Sequence, residues 1–545
     1  MLSRIVNSQT KSITAAAVLV ALSVLFSRLL GLVRDRLLAK QFGASAELDV
    51  YFTAFLIPDF VYSILILGGI SAVFLPIFSG YYFKNKEEAW RFANNLLNCF
   101  GFLLILICSI LAIITPFLID LVVPGFSLEK KHLAVTLTRI MFFSPLFFGL
   151  ASIFSGILQY FNRFLIYSLA PIIYNLGIIF GILFFVPSFG LYGLAYGVIL
   201  GACLYWLIQI PTARISGYYY LPLFNFRNFG LIKALKQMIP RTIGAAAYQF
   251  NLIVITAIAS TLASGSITIF NFANNLQYLP IGLIGVSFSL AVFPALSKNW
   301  AANQKDEFSK NFSSTFRQIL FLVIPLSTLI FILRVALVRI ILGTGRFGWP
   351  EIQLTAAALG IFSFGIFAAT LIPFLSRVFY SFHDTKTPVI VSLIAIVLNL
   401  SLCFLFIFLL EFTNLGQESI RHILNLQEVD DIRVLALPLS LSISAVFQFS
   451  LLLFFLYQKK INLFLKEIGQ SLMKILIATC LMVIFSFATL FLTNKFFNIQ
   501  TNSGILLQTI LVCLVAGIVY LLVSFWLKLS EIKVIWTLLF KSFMS

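Results

Sequence analysis

Charge is what this 545-residue sequence has least of: Asp, Glu, Lys and Arg together make up 10% of it, against about a quarter in a soluble domain. Acidic residues are scarcest, with 19 Asp and Glu against 37 Lys and Arg. Cysteine offers no framework. Cys99, Cys108, Cys203, Cys403, Cys480 and Cys513 lie inside apolar runs without a Cys-x-x-Cys pair. They read as small buried hydrophobes, which excludes a disulfide scaffold and a thiolate metal centre. His132, His383 and His422 fall near expected helix ends with no metal-ligand spacing between them. There is no glycine-rich phosphate loop and no nucleophile–base pair, so neither ATP chemistry nor an enzyme's reaction is implied, and no cofactor. The first apolar run lacks a small-residue cleavage site and reads as a retained helix.

What is present is apolar sequence in long blocks. The hydrophobic fraction is 61% and there are 61 Phe. Apolar segments over 13–38, 48–80, 88–120, 131–160, 165–186, 191–213, 230–262, 266–297, 309–341, 352–381, 387–410, 433–458, 469–493 and 504–528 predict about fourteen transmembrane helices, each needing about 20 apolar residues. The class is therefore an all-α polytopic membrane protein. The net charge of +18 is assigned to loops on one side of the membrane, because no basic stretch interleaves with aromatics as in a nucleic-acid platform. With the N-terminus cytoplasmic, about twenty basic residues fall inside, Lys84, Arg163, Arg214, Arg227 and Lys386 among them, against about seven outside. Both termini are then cytoplasmic.

Ser71-Ala-Val-Phe-Leu-Pro76-Ile-Phe-Ser79 closes the second segment and Ser289-Leu-Ala-Val-Phe-Pro294-Ala-Leu-Ser297 the eighth. A weaker echo pairs Asn175-Leu176 with Asn399-Leu400. Together they point to two six-helix lobes, 1–222 and 223–460, followed by 461–545 with two helices that have no repeat partner. Six is even, so the lobes are parallel repeats related by an axis along the membrane normal, and such pairs enclose a central cavity.

Ionisable groups inside apolar segments carry the functional signal, since a charge at the bilayer centre costs roughly 2.5–3.5 kcal/mol on insertion scales. The first helix holds Ser27-Arg28-Leu-Leu-Gly31-Leu-Val-Arg34-Asp35-Arg36. On a helical wheel Arg36 falls about 80° from Arg28 and Arg34 about 120° away on the other side, so these cations do not form one stripe. Asp35 is expected to pair with an Arg one turn away or on a facing helix. The second segment adds Asp49 and Asp59 around Pro58, with Gly68-Gly69 as a break, and Arg139, Arg241 and Arg377 lie in later ones. Arg36, Lys40 and Arg377 also read as snorkelling residues at helix ends, and Tyr62 and Ser63 as packing residues. A predominantly cationic cavity calls for an anionic substrate, and the planar guanidinium fork suits phosphate.

Several motifs recur in order along the chain. They are Ser27-Arg28 with Gly31 and Arg34-Asp35, Phe42-Gly43-Ala44 with Asp49, and Pro124-Gly125-Phe126. Asn162-Arg163-Phe164 with Ala170-Pro171 and Asn175, Lys236-Gln237-Met238 and Leu262-Ala263-Ser264-Gly265-Ser266 follow. Leu279-Pro280 with Gly282 and Gly285, and Asp384 with Lys386-Thr387-Pro388, complete the set. On these residues, spread over about 13–460, the chain resembles the MurJ/MviN lipid II flippases of the multidrug/oligosaccharidyl-lipid/polysaccharide exporter superfamily. The resemblance implies carriage of lipid II to the outer leaflet of the bacterial cytoplasmic membrane by alternating access, with cavity arginines holding the diphosphate. Arg28, Arg34, Asp35 and Asp49 match family cavity positions. Two departures stand out. The family's second-helix Arg is replaced in the run from Pro58-Asp59 to Tyr62 and Ser63, and its eighth-helix Arg by Asn275. Arg241 or Arg139 is the candidate substitute.

The resulting expectation is a transporter of lipid II or a similar anionic lipid-linked glycan, partnered by membrane lipids and, as one option, by cell-wall synthesis proteins. The alternatives are export of another polyprenyl-diphosphate-linked glycan and a non-transporting cell-wall scaffold. A cation antiporter calls for an acidic cavity, which this sequence lacks.

Overall fold

The computed structural model describes the backbone of residues 13–412, 418, 421–422, 424, 426–459, 461, 463–498 and 501–532, and their side chains except at 13–18, 21, 67–69, 71–72 and 239–248. Among the described residues every regular element is helical. Twelve helices there are long and apolar enough to cross a membrane. They are α2 (from Ala46), α3 (Lys86–Val122), α4 (Leu128–Tyr160), α5 (Phe164–Phe189), α6 (Tyr192–Ile215), α8 (Ser266–Ala301), α9 (Lys305–Leu342), α10 (Trp349–Ser381), α11 (Lys386–Phe412), α12 (Arg433–Gln458), α13 (Leu465–Thr493) and α14 (Asn502–Trp526). Two more helices, α1 (Ile13–Phe42) and α7 (Phe229–Ser260), are as long, with part of each outside the described side chains.

Exposure sorts the helices by neighbour. Two-thirds of the apolar window of α10 is buried, against 22% for α3 and for α11. The bare faces of α3 (Phe102, Ile105, Ile113, Phe117) and α11 (Val397, Phe404, Phe408) fit contact with acyl chains, which are as apolar as these residues.

The chain divides into two compact units, residues 1–268 and 269–545. In the first, α1 packs on α5 and α5 on α6. The α5–α6 crossing is a glycine contact: a Cβ on Gly177 would overlap Gly201, and one on Gly181 would overlap Gly197. Small residues at four-residue spacing let two helix backbones meet where no water drives them together. Helix α7 packs on α2 and α3 within this unit.

In the second unit the core is built on rings. Phe308, Phe312, Phe316 and Phe321 of α9 meet Phe374 and Phe379 of α10, and Leu452 and Leu456 of α12 close the cluster. Helices α13 and α14 pair with each other and dock on α9. The Tyr520 hydroxyl there donates to the Phe321 carbonyl at 2.7 Å.

Three membrane helices change winding midway. π-helical segments occupy Tyr62–Ile70 of α2, Gly181–Phe185 of α5 and Ile281–Val286 of α8. Those of α2 and α8 lie just before the two Ser-x4-Pro-x2-Ser runs.

Candidate functional site

Helix α1 carries its charges where α5 can reach them. The Arg34 guanidinium lies side-on to its neighbour Asp35, with Nε and Nη2 donating to one carboxylate oxygen, Oδ1, at 3.0 and 2.9 Å. Its Nη1 donates to Asn175 Oδ1 of α5 at 3.3 Å. The adjacent Arg34 is thus one partner of Asp35. The pair is compact enough that Asp35 is 4% exposed, and a buried carboxylate is tolerated only when paired.

Asn175 then reaches back along α1. Its Nδ2 donates to Ser27 Oγ at 3.1 Å and to the Pro171 carbonyl of its own helix at 3.1 Å. Ser27, Gly31 and Arg34 stand at i, i+4 and i+7, one face of a helix, and the missing side chain of Gly31 leaves that face open beside Asn175 Oδ1. Three of the five guanidinium N–H donors are thereby engaged. One donor remains on each of Nη1 and Nη2, and the Arg34 side chain is 23% exposed. Two remaining N–H groups on a fixed cation suit a phosphate oxygen pair. Tyr51, Tyr174 and Asp59 lie within electrostatic range of Arg34.

The remaining site candidates are placed separately. Arg28 is exposed on α1 and Arg36 half-buried. Asp49 is 3% exposed and serves the start of α8. One oxygen accepts from the Gly265 N–H at 2.6 Å, the other from the Thr268 N–H at 2.8 Å and the Thr268 hydroxyl at 2.7 Å. A carboxylate there meets the partial positive charge of unsatisfied helix donors. Gly265 has φ of 90°, and a Cβ on it would overlap the Ala44 carbonyl. At the same end the Gly125 N–H donates to Ser260 Oγ at 3.2 Å. Phe42-Gly43-Ala44, Pro124-Gly125-Phe126 and the Gly265-Ser266 motif therefore meet in one seam.

Where the family resemblance implies a second-helix arginine, Ser63 Oγ accepts from Gln249 Nε2 at 2.8 Å, while the Tyr62 ring lies tilted against Phe148 with centroids 5.0 Å apart. Asn275 is half-buried on α8 in the second unit. Arg139 donates to the Ala112 carbonyl at 2.9 Å, tying α4 to α3. Pro240 and Arg241 lie outside the described side chains.

The second unit holds a cavity of about 640 Å³ among α9, α10, α12 and α13, lined by Phe312, Phe316, Phe367, Phe449, Leu472 and Leu476 among others. Such a lining suits hydrocarbon. Among the described residues no group of three or more His, Cys, Asp and Glu is placed to hold a metal.

Asp384, in the turn before α11, is a capping residue. It accepts from the Thr387 N–H at 3.0 Å, the Thr387 hydroxyl at 2.9 Å and Lys459 Nζ at 3.1 Å. Burial pushes its carboxyl up, but these donors outweigh it and hold the group below the usual carboxylate range.

The family model described as lipid II flippase MurJ matches residues 38–506. A probable lipid II flippase MurJ of Buchnera aphidicola subsp. Acyrthosiphon pisum is 32% identical, covering 92% of this chain and 95% of the relative. The lipid II flippase MurJ of Burkholderia cenocepacia is 30% identical over 69% of this chain and 75% of its own length. Among solved structures, a lipid II flippase MurJ in an inward closed conformation superposes with a TM-score of 0.72 at 26% identity, covering 93% of this chain and 98% of that one. An inward-facing multidrug resistance transporter of the MATE family and MOP superfamily shares the fold, with a TM-score of 0.64 at 14% identity over 80% of this chain and 96% of that one. With the family model spanning most of its length and the arginine–carboxylate pair in place on α1, this chain belongs to the lipid II flippase MurJ family.

Proposed function

We propose that this chain moves lipid II from the inner to the outer leaflet of the bacterial cytoplasmic membrane, for peptidoglycan synthesis, by alternating access of its two repeat lobes with both termini in the cytoplasm. The observation that carries this is Arg34, a buried-side cation clamped by Asp35 and Asn175 with two N–H donors left over. A diphosphate supplies the complementary oxygens. Its passage through a polar, cationic path avoids the cost of bare charge in hydrocarbon. Arg28 adds a second cation to α1. Asp49 serves as a cap for the start of α8. No bond is made or broken, so the protein is a transporter and not an enzyme.

A second reading has an observation of its own. With Tyr62 and Ser63 where the family resemblance implies a second-helix arginine, the first unit carries fewer cations, which favours a different lipid-linked glycan. The test is outer-leaflet lipid II accessibility in cells depleted of their own flippase and expressing this chain. Accessible lipid II with the wild type, lost in Arg34→Ala, supports lipid II transport. No accessible lipid II despite full membrane insertion favours another glycan. Activity unchanged in Arg34→Ala and Arg28→Ala overturns the cationic site.

A further inference from the structure

Between α6 and α7 the chain runs without helix from Gly217 to Asn228, and it is held down along its length by three asparagines of α3. Asn94, Asn95 and Asn98 are all buried although they sit in a membrane-spanning helix. Asn94 Oδ1 accepts from the Tyr218 hydroxyl at 2.9 Å and the Leu221 N–H at 3.0 Å, and its Nδ2 donates to the Tyr219 carbonyl at 2.9 Å. Asn95 brackets Asn225, accepting from its N–H at 2.6 Å and donating to its carbonyl at 2.9 Å. Asn98 donates to the carbonyls of Leu221 and Leu223 at 2.9 and 3.0 Å. Residues 219, 221, 223 and 225 thus turn their carbonyls to α3, as alternate residues of an extended chain do. Pro222 has no N–H to satisfy.

A loop in water needs none of this, because water pairs its peptide groups. Three buried amides in an apolar helix are costly unless bonded, and their use here is explained by surroundings poor in water, where each unpaired peptide group costs several kcal/mol. The outward side agrees. Tyr219, Tyr220, Phe224 and Phe226 are exposed, and the Phe226 ring lies 6.2 Å from that of Phe102. Phe102 begins the bare face of α3 that continues through Ile105, Ile110 and Ile113. That helix carries no charge from Phe92 to Ile119, a run longer than the roughly 20 residues that cross the hydrocarbon, so Asn94–Asn98, in the first two turns after Arg91, stand at its border. Tyr-rich surfaces gather at that border. Exposed Arg214 and Arg227 bracket the segment, with Lys233 and Lys236 beyond.

We propose that residues 218–227 form a strap lying in the membrane–water interface, its aromatic side chains in the lipid and the bracketing Arg214 and Arg227 on anionic lipid headgroups. The partner is the bilayer surface, and the asparagines of α3 are what permit non-helical backbone at that depth.

The test places a nitroxide at 226 (Phe226→Cys) in a chain whose six cysteines are replaced by alanine and which still supports lipid II accessibility. The protein is put in nanodiscs of phosphatidylcholine with or without phosphatidylglycerol. Collisional accessibility to oxygen and to a water-soluble nickel chelate is compared with labels at Leu106, on the lipid face of α3, and Asn303, in the exposed turn between α8 and α9. The expected result at 226 is oxygen-dominated accessibility like that at 106, deepening with phosphatidylglycerol, and a smaller deepening in Arg227→Gln. Nickel accessibility at 226 equal to that at 303 overturns the strap. Hydrogen exchange on the unmutated chain provides an independent reading: slow exchange of the Leu221 and Asn225 amides supports the clamp, and exchange at the rate of an open loop refutes it.

Discussion

Replacing Asn175 by Leu removes the side chain whose hydrogen bond joins Arg34 to α5 while keeping size and apolar packing. The lost bond to Arg34 Nη1 is charge-assisted, a class worth about 1.5–3 kcal/mol. At 23% exposure of the Arg34 side chain water replaces part of it, which brings the expected loss to about 1–2 kcal/mol. If a headgroup binds only when the guanidinium is held in place, that loss is a fall of roughly 5- to 30-fold in transport. Outer-leaflet lipid II in flippase-depleted cells, normalised to the amount of protein in the membrane, measures it. Arg34→Lys supplies the control, since an ammonium has no fork for Asn175 to steady. Asn175→Leu made on top of Arg34→Lys is expected to cost little, because two residues acting through one contact are not additive. Equal fold losses in the two backgrounds would refute a positioning role.

Asp49→Ala strips a buried carboxylate from the Gly265 and Thr268 donors and is expected to lower stability by about 2–4 kcal/mol, read as an earlier thermal unfolding midpoint in detergent. Gly265→Ala is expected to impair folding through both its positive φ and the overlap with Ala44, whereas Gly469→Ala, with open space around it, leaves the midpoint unchanged. Asp384 has a folded-state pKa below its unfolded value, so its contribution is complete above the unfolded value and drains away as pH falls through the folded one. The unfolding midpoint of wild type should therefore drop on acidification by more than that of Asp384→Asn. Tyr520→Phe orphans the Phe321 carbonyl and is expected to cost about 1–3 kcal/mol, measured in the same assay.

The helices were legible because hydropathy reports what lipid demands of each residue. The segment read at 88–120 is Lys86–Val122, and the one read at 387–410 is Lys386–Phe412. Winding within a helix leaves no such mark, so the π segments of α2, α5 and α8 went unread even where the repeat was seen. Arg34 and Asp35 stood out as charges in an apolar run. Asn175 stood out only as an echo of Asn399, because an uncharged amide in a helix has many structural uses. Several motifs that carry the family resemblance prove to be architecture. Asn162 takes a left-handed φ of 56° at the end of α4, as helix-ending Asn does. Asp384 and Gly265 shape the starts of α11 and α8. The Asn94, Asn95 and Asn98 cluster leaves no mark in hydropathy, which averages polar residues into the apolar run beside them.

The π segments also bear on which insertions and deletions the gene can tolerate. A π turn holds about one residue more than an α turn. Removing a residue from Tyr62–Ile70 or Ile281–Val286 lets the backbone relax into α-helix, with the flanking faces still in phase. The same deletion a few turns away rotates everything beyond it by about 100° and turns lipid-facing residues inward. The two related helices thus carry a matching slack in register, at which their lengths are free to drift without scrambling either end.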